Sequence, residues 1–317
     1  MTVNDRPYLL KKFADYLAQR RQGFLWFAKR FFKNPTGIAG LAIVVFFILV
    51  AIAAPWLAPP EPGDDDPFMI PRESYRTNPE PPSMEYPMGL TGNQYDIYYG
   101  VIWGTRTAFK AALGITGTIF IVGIILGSIS GFFGGLIDNI IMRFTDIVIA
   151  IPALIGAIVV VTVIGRGLGT AMLALILFTW PLYARLVRGE VLRMREMDYV
   201  DAARAAGATN RRLISKHILP NSLAPVVAYA TLDTGTQLVA IASLSFLGLG
   251  PPEGYADWGQ LAAFARDWIV GAGTDATAYW YVIVFPGTAL LLFVLGFALL
   301  GDALQEIFDP RLRAVGT

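Results

Sequence analysis

Apolar residues along this 317-residue chain gather into six long runs, approximately 38–57, 111–133, 140–164, 168–187, 223–247 and 281–300. A helix needs about 20 mostly apolar residues to cross the hydrocarbon core of a bilayer, since lipid leaves backbone polar groups without partners outside a helix or a closed barrel. Each run meets that length. Barrel strands are shorter and alternate, so the pattern predicts an all-α membrane protein with six transmembrane helices.

The runs differ in detail. Gly123, Gly127 and Gly131 recur every four residues in the second and predict one helix side that lets another backbone approach closely. Gly134 and Gly135 then break the helix ahead of Asp138. Pro152 predicts a kink within the third run, and Arg143 and Asp146, three residues apart, are placed to pair on one helical face. The fifth run carries Thr231, Asp233, Thr234, Thr236 and Gln237, a cluster too polar to face lipid all round. Thr231, Asp233, Thr234 and Gln237 are candidate groups on a translocation path, with a hydrogen-bonded contact between helices as the alternative.

Between the runs, the placement of Lys and Arg sets orientation, because these residues stay mainly on the cytoplasmic side. Arg6, Lys11, Lys12, Arg20, Arg21, Lys29, Arg30 and Lys33 precede the first run, and Arg188, Arg193, Arg195, Arg204, Arg211, Arg212 and Lys216 follow the fourth. Four crossings separate the clusters, which puts both clusters and both termini in the cytoplasm. The chain therefore divides into a basic segment 1–37, a first helix 38–57, an outer stretch 58–105, a core 106–303 and a cytoplasmic tail 304–317. The first run is long and lacks a small-residue cleavage pattern, as expected of a retained anchor. The outer stretch, rich in proline and acid, reads as an extended solvated loop; Asp64 to Asp66 is either solvated surface or a partner's docking point.

Composition agrees with this reading. At 55% hydrophobic and 15% charged residues, with a mean hydropathy of +0.54, lipid must be part of the solvent. A net charge of +1 gives no general attraction to nucleic acid. With no cysteine and the single His217, neither a thiolate site nor a His-rich metal site is available, so no metal ligand and no catalytic residue is assigned. No phosphate-binding GxxxxGK[ST] loop occurs.

The loop 196–221 holds the most legible chemistry. Its alanine-rich part, 198–206, favours a helix that Gly207 ends in a left-handed conformation. Thr209 or Asn210 is placed to cap a second short helix bounded by Pro220. Ala202, Ala203, Ala205 and Ala206 keep the first helix thin enough to enter another protein's groove, with Arg204, Arg211 and Arg212 positioned to meet carboxylates at its edges. A plain amphipathic connector on the membrane surface is the other reading of these residues.

Asp201-Ala202-Ala203, Gly207 and Ile218-Leu219-Pro220 resemble the EAA signature of ABC importer permeases, with Gly207 four residues after Ala203 and the final proline motif starting eleven after Gly207. Lys33-Asn-Pro-Thr-Gly-Ile-Ala-Gly-Leu41, Leu244-Ser-Phe-Leu-Gly-Leu-Gly250, Leu300-Gly-Asp-Ala-Leu304 and Asp309-Pro-Arg-Leu-Arg313 resemble the C-type subunit of dipeptide and oligopeptide permeases. Two departures stand out: Asp201 replaces the usual glutamate, and Asn93 to Tyr99 replaces a usual glycine-arginine-aspartate stretch.

The resemblance implies the type I importer permease fold with a cytoplasmic coupling-helix loop. It implies that 196–221 receives force from two ATP-binding cassette subunits holding ATP and Mg, while this chain binds no cofactor. It also implies a second homologous permease subunit, an extracytoplasmic substrate-binding protein and a multi-pass location in the cytoplasmic membrane. Di- and oligopeptides are the implied cargo, with oligosaccharides the alternative. An ion-driven secondary transporter and a non-transporting membrane scaffold are the readings from other classes; the first is disfavoured by the lack of a visible inverted repeat.

Overall fold

A computed structural model describes residues 25, 28–61, 63, 66–266, 268 and 277–308 of the chain. Arg6, Lys11, Lys12, Arg20, Arg21, Asp64, Asp65 and the motif 309–313 lie outside the described residues. The secondary structure among the described residues is helical apart from isolated β-bridges.

Helix α1 spans Pro35–Leu57 and α2 spans Ile97–Phe133. Asn34 starts α1: its side chain accepts from the Gly37 N–H at 3.1 Å, and Pro35 occupies the first turn, where a missing N–H costs nothing. Next come α3 (Gly135–Ile149) and α4 (Ala153–Ile164), then α5 (Leu168–Arg195) and the short α6 (Asp198–Ala205). Helix α7 spans Leu219–Phe246, α8 Trp258–Phe264 and α9 Trp280–Phe308.

Close packing fixes the direction of each pass. Gly123, Gly127 and Gly131 of α2 meet Tyr183, Ala184 and Arg188 of α5 in ascending order, so these two helices run parallel. A methyl at Gly127 would stand 2.5 Å from the Ala184 carbonyl, and one at Gly131 2.9 Å from that of Arg188, which is why only glycine fits this ridge. Parallel α2 and α5 require residues 134–167 to carry the chain back across the bundle, making α3 and α4 one net crossing. Gly235 and Gly301 press α7 and α9 together antiparallel, against Val294 and Leu232. Gly37 and Gly296 do the same for α1 and α9, against Ala303 and Ile43.

By length and composition α1, α2, α5 and α9 are able to cross a membrane, and a fifth span is added if the bent α3–α4 pair counts as one. Helix α7 has 28 residues, but its polar cluster keeps it out of that set. Of the six runs, four thus appear as single helices able to span a membrane and a fifth as the bent pair, while the run in α7 forms a long helix that falls short of that apolarity.

The bend expected at Pro152 is present and sharp: α3 and α4 meet at 80°, because proline lacks the N–H, drives the preceding residue out of helical geometry, and itself sits at ψ 121°. Three other expectations change. Asp146 does not pair with Arg143; it accepts from Arg185 of α5 at 2.5 Å, since the neighbouring helix presents a guanidinium directly. Residues 97–105 belong to α2 rather than to the outer loop.

The remainder of that loop is not merely solvated. Ile70, Leu90, Thr91 and Gln94 are buried, and its backbone pairs with the segment before α8, Ile70 N–H to Gly254 C=O at 2.7 Å and Ala256 N–H to Phe68 C=O at 2.7 Å. A few apolar anchors, such as Phe68 packed on Trp103 and Tyr255, organise a segment whose composition looks disordered.

Candidate functional site

Helix α6 and the chain that follows it form a platform at the end of the bundle where α2 and α5 finish. Met197 opens α6 in an extended conformation, and Asp198 and Asp201 in its first turn favour the positive end of the helix dipole. Asp201 also accepts from Arg204 at 2.8 Å, an exposed pair one turn apart. Carboxylate and guanidinium are therefore already engaged with each other at the surface.

Gly207 takes φ +84° and nothing lies within 4 Å of where its Cβ would be, so the turn demands a left-handed residue for conformational reasons alone. Beyond it, Val200, Leu213 and Ile218 are buried beneath the platform with Ala203, Ala208 and Ile214 packed against them. Ala202, Ala205, Ala206, Arg211 and Arg212 face outward. The small-residue face is thus open, and the branched residues attach the platform to the bundle.

The second short helix does not stand apart. Residues Asn210–Arg212 form one α-turn without a side-chain cap from Thr209, and Leu213–Ile218 form a π-helix that runs directly into α7. Pro220 therefore does not bound a helix. The wide turn, in which the Leu219 N–H reaches back five residues to the Ile214 carbonyl, opens immediately ahead of the proline and makes room for its ring and missing donor. The His217 carbonyl collects side-chain donors instead, Asn221 Nδ2 at 2.7 Å and the Tyr199 hydroxyl at 3.3 Å. The fold uses His217 here through its backbone.

Polar contacts tie the platform's root to α2 and α3. Arg188 grips Asp138 with both Nε and Nη2 at 2.6 Å, the bidentate arrangement that fixes orientation as well as distance, and the Ser130 hydroxyl donates to the same carboxylate. Arg195 donates to the Phe132 carbonyl at 2.8 Å, satisfying the end of α2. These contacts join α5, whose end leads into α6, to α2 and α3.

The four candidates in α7 separate into two groups. Asp233 and Gln237 are buried toward α5: the Asp233 carboxylate accepts from the Tyr183 hydroxyl at 2.9 Å and from Gln237 Nε2 at 3.0 Å. Thr231 and Thr234 instead line a groove of about 310 Å³ with Thr116, Phe120, Val227 and Phe297. Their hydroxyls donate to carbonyls four residues back, which leaves oxygen lone pairs to accept from a ligand. Sequence spacing did not separate these groups, because which face of α7 meets α5 depends on Tyr183 arriving from a distant segment.

Other proteins match the chain closely. The family model described as "Binding-protein-dependent transport system inner membrane component" matches residues 123–314, and that described as "N-terminal TM domain of oligopeptide transport permease C" matches residues 25–79. The chain is 36% identical to the dipeptide transport system permease protein DppC of Alkalihalophilus pseudofirmus, over 90% of this chain and 89% of that one. It is 33% identical to the glutathione transport system permease protein GsiD of Pectobacterium atrosepticum, over 91% of both. A solved inward-facing structure of the MetNI methionine ABC transporter aligns at TM-score 0.49 and 23% identity, covering 69% of this chain and 97% of that one.

Proposed function

Because the chain belongs to the family of binding-protein-dependent transport system inner membrane components, we propose that it forms half of the translocation path of an ATP-driven di- and oligopeptide importer, with α6 as the element that separate ATPase subunits move. As a member of that family it is a membrane-embedded permease, a transport subunit and not an enzyme. The peptide assignment draws support from relatives named for dipeptide and glutathione transport.

One observation carries the coupling assignment: an exposed, small-residue helix is attached by buried Val200, Leu213 and Ile218 to helices that cross the bundle. A face of alanines lets a partner's groove close tightly around the backbone, and the exposed Arg211 and Arg212 supply charge at its rim. The proposed assembly contains two ATP-binding cassette subunits that hold ATP and Mg, a second homologous permease subunit and an extracytoplasmic binding protein. Both termini of this chain lie on the ATPase side. Thr231 and Thr234 are the proposed path residues of α7, while Asp233 and Gln237 position that helix against Tyr183.

The test is to purify the complex with and without large side chains on the alanine face. Ala202→Trp and Ala205→Trp should leave the chain in the membrane, release the ATPase subunits and abolish ATP-driven dipeptide uptake into proteoliposomes. Full uptake by both variants, or uptake that runs on an ion gradient without ATP, defeats the proposal.

A further inference from the structure

At the end of the bundle opposite α6, a cavity of about 580 Å³ opens between the α4–α5 turn, the end of α7 and α8. Its volume falls within the range of about 300–1,000 Å³ typical of small-ligand sites. Arg166, Glu253 and Arg266 contribute charge to its wall, and Phe246, Phe264 and Trp268 contribute apolar surface.

Gln260 shapes one side. Buried, it accepts from the Gly254 N–H at 2.8 Å and donates to the Pro251 and Pro252 carbonyls at 3.1 and 3.0 Å, which fixes the loop bearing Glu253. Asn93 donates to one Glu253 oxygen at 2.7 Å and so orients the carboxylate. Arg166 occupies the three-residue turn between α4 and α5, flanked by Gly165 and Gly167. In the proposed topology that turn is outside, where the general bias against external Arg and Lys makes an arginine in so short a loop unexpected. Arg166 and Glu253 share the cavity without forming an ion pair with each other among the described residues.

We propose that this cavity receives the zwitterionic ends of a short peptide, Arg166 holding the carboxylate and Glu253 the ammonium. The inference rests on the peptide-import reading and adds a recognition site to it. Opposite charges held apart beside aromatic and aliphatic surface suit a molecule with a charged group at each end and an apolar side chain between them. A neutral sugar offers neither charge a counter-ion.

Because the chain has no cysteine, Ala263→Cys places one thiol in the cavity wall. The experiment uses the complete transporter in nanodiscs without its binding protein and measures maleimide labelling of that thiol against glycyl-leucine, its C-terminal amide and its N-acetyl form. Glycyl-leucine should slow labelling severalfold, at a concentration roughly tenfold lower than either blocked form needs. Arg166→Gln should remove the preference for the free carboxylate, and Glu253→Gln that for the free ammonium. Equal labelling with and without peptide overturns the site, as does a thiol that labels in the isolated chain and is inaccessible in the complex. Parallel uptake assays separate the two readings: transport of glycyl-leucine without protection sinks the cavity alone, whereas absence of any peptide transport sinks the import reading and the cavity with it.

Discussion

Replacing Gly207 with valine isolates coupling from folding. The residue's φ of +84° lies in the left-handed region, and open space surrounds the position of its Cβ, so the penalty is conformational with no clash added. A β-branched residue there costs about 1–2 kcal/mol, which shifts the closed turn against open alternatives roughly 5- to 30-fold. The open turn releases the contacts of α6 with buried Leu213 and Ile218 and presents the alanine face at a wrong angle. Gly207 lies outside α1 to α5, α7 and α9, so membrane insertion and amounts should match the unaltered protein.

The assay is ATP-driven uptake of a radiolabelled dipeptide into proteoliposomes, with ATP hydrolysis measured alongside. Uptake should fall severalfold or more while hydrolysis either drops through loss of the ATPase subunits or continues without transport. Gly207→Asn should stay near the unaltered rate, since asparagine tolerates the left-handed region, and Gly207→Ala should fall between. Normal uptake by the valine variant, at normal amounts in the membrane, refutes the role assigned to this turn.

Further expectations follow from other parts of the chain. Asp257 is the buried N-cap of α8; burial pushes its carboxyl up from 3.8 to about 6 against the Gln260 N–H bond that favours the ionised form. The folded state then keeps a proton that the unfolded chain has lost, so this group's contribution is greatest below about pH 4 and falls by about 3 kcal/mol as pH rises to about 6. Thermal unfolding in detergent should show that decline, and Asp257→Asn should flatten it; an unchanged pH profile in the variant removes the assignment. In α1, Pro55 cannot donate to the Ala51 carbonyl, and Arg106 Nε supplies the bond at 2.5 Å. Arg106→Met should therefore cost about 1–3 kcal/mol, but less when Pro55→Ala restores a backbone donor; additive losses in the double variant contradict this coupling. Single cysteines at Ser83 and Ala206, both exposed, should label from opposite sides of the membrane, and labelling from one side overturns the six-pass topology.

Features whose cause is local were legible in the sequence. Apolar runs announced the crossings because lipid penalises any unpaired backbone over about 20 residues, wherever the rest of the chain lies. Gly207 and the alanine helix before it were readable for a similar reason: turn conformation and helix propensity act over a few residues. The glycine ridge predicted a close helix contact, though not that α5 would supply it. What the sequence left open was decided by contacts between distant segments. Asp146 took Arg185 and not Arg143, Asp233 turned toward Tyr183 while Thr231 and Thr234 turned to the groove, and a π-helix absorbed Pro220 that local rules treat as a boundary. An ordered outer loop emerged from a proline-rich, acidic stretch because Phe68 and Ile70 found surfaces on α2 and ahead of α8. Periodicity and propensity describe one segment at a time, whereas the direction in which a side chain finds its partner depends on how two segments pack, and only the tertiary structure holds that information.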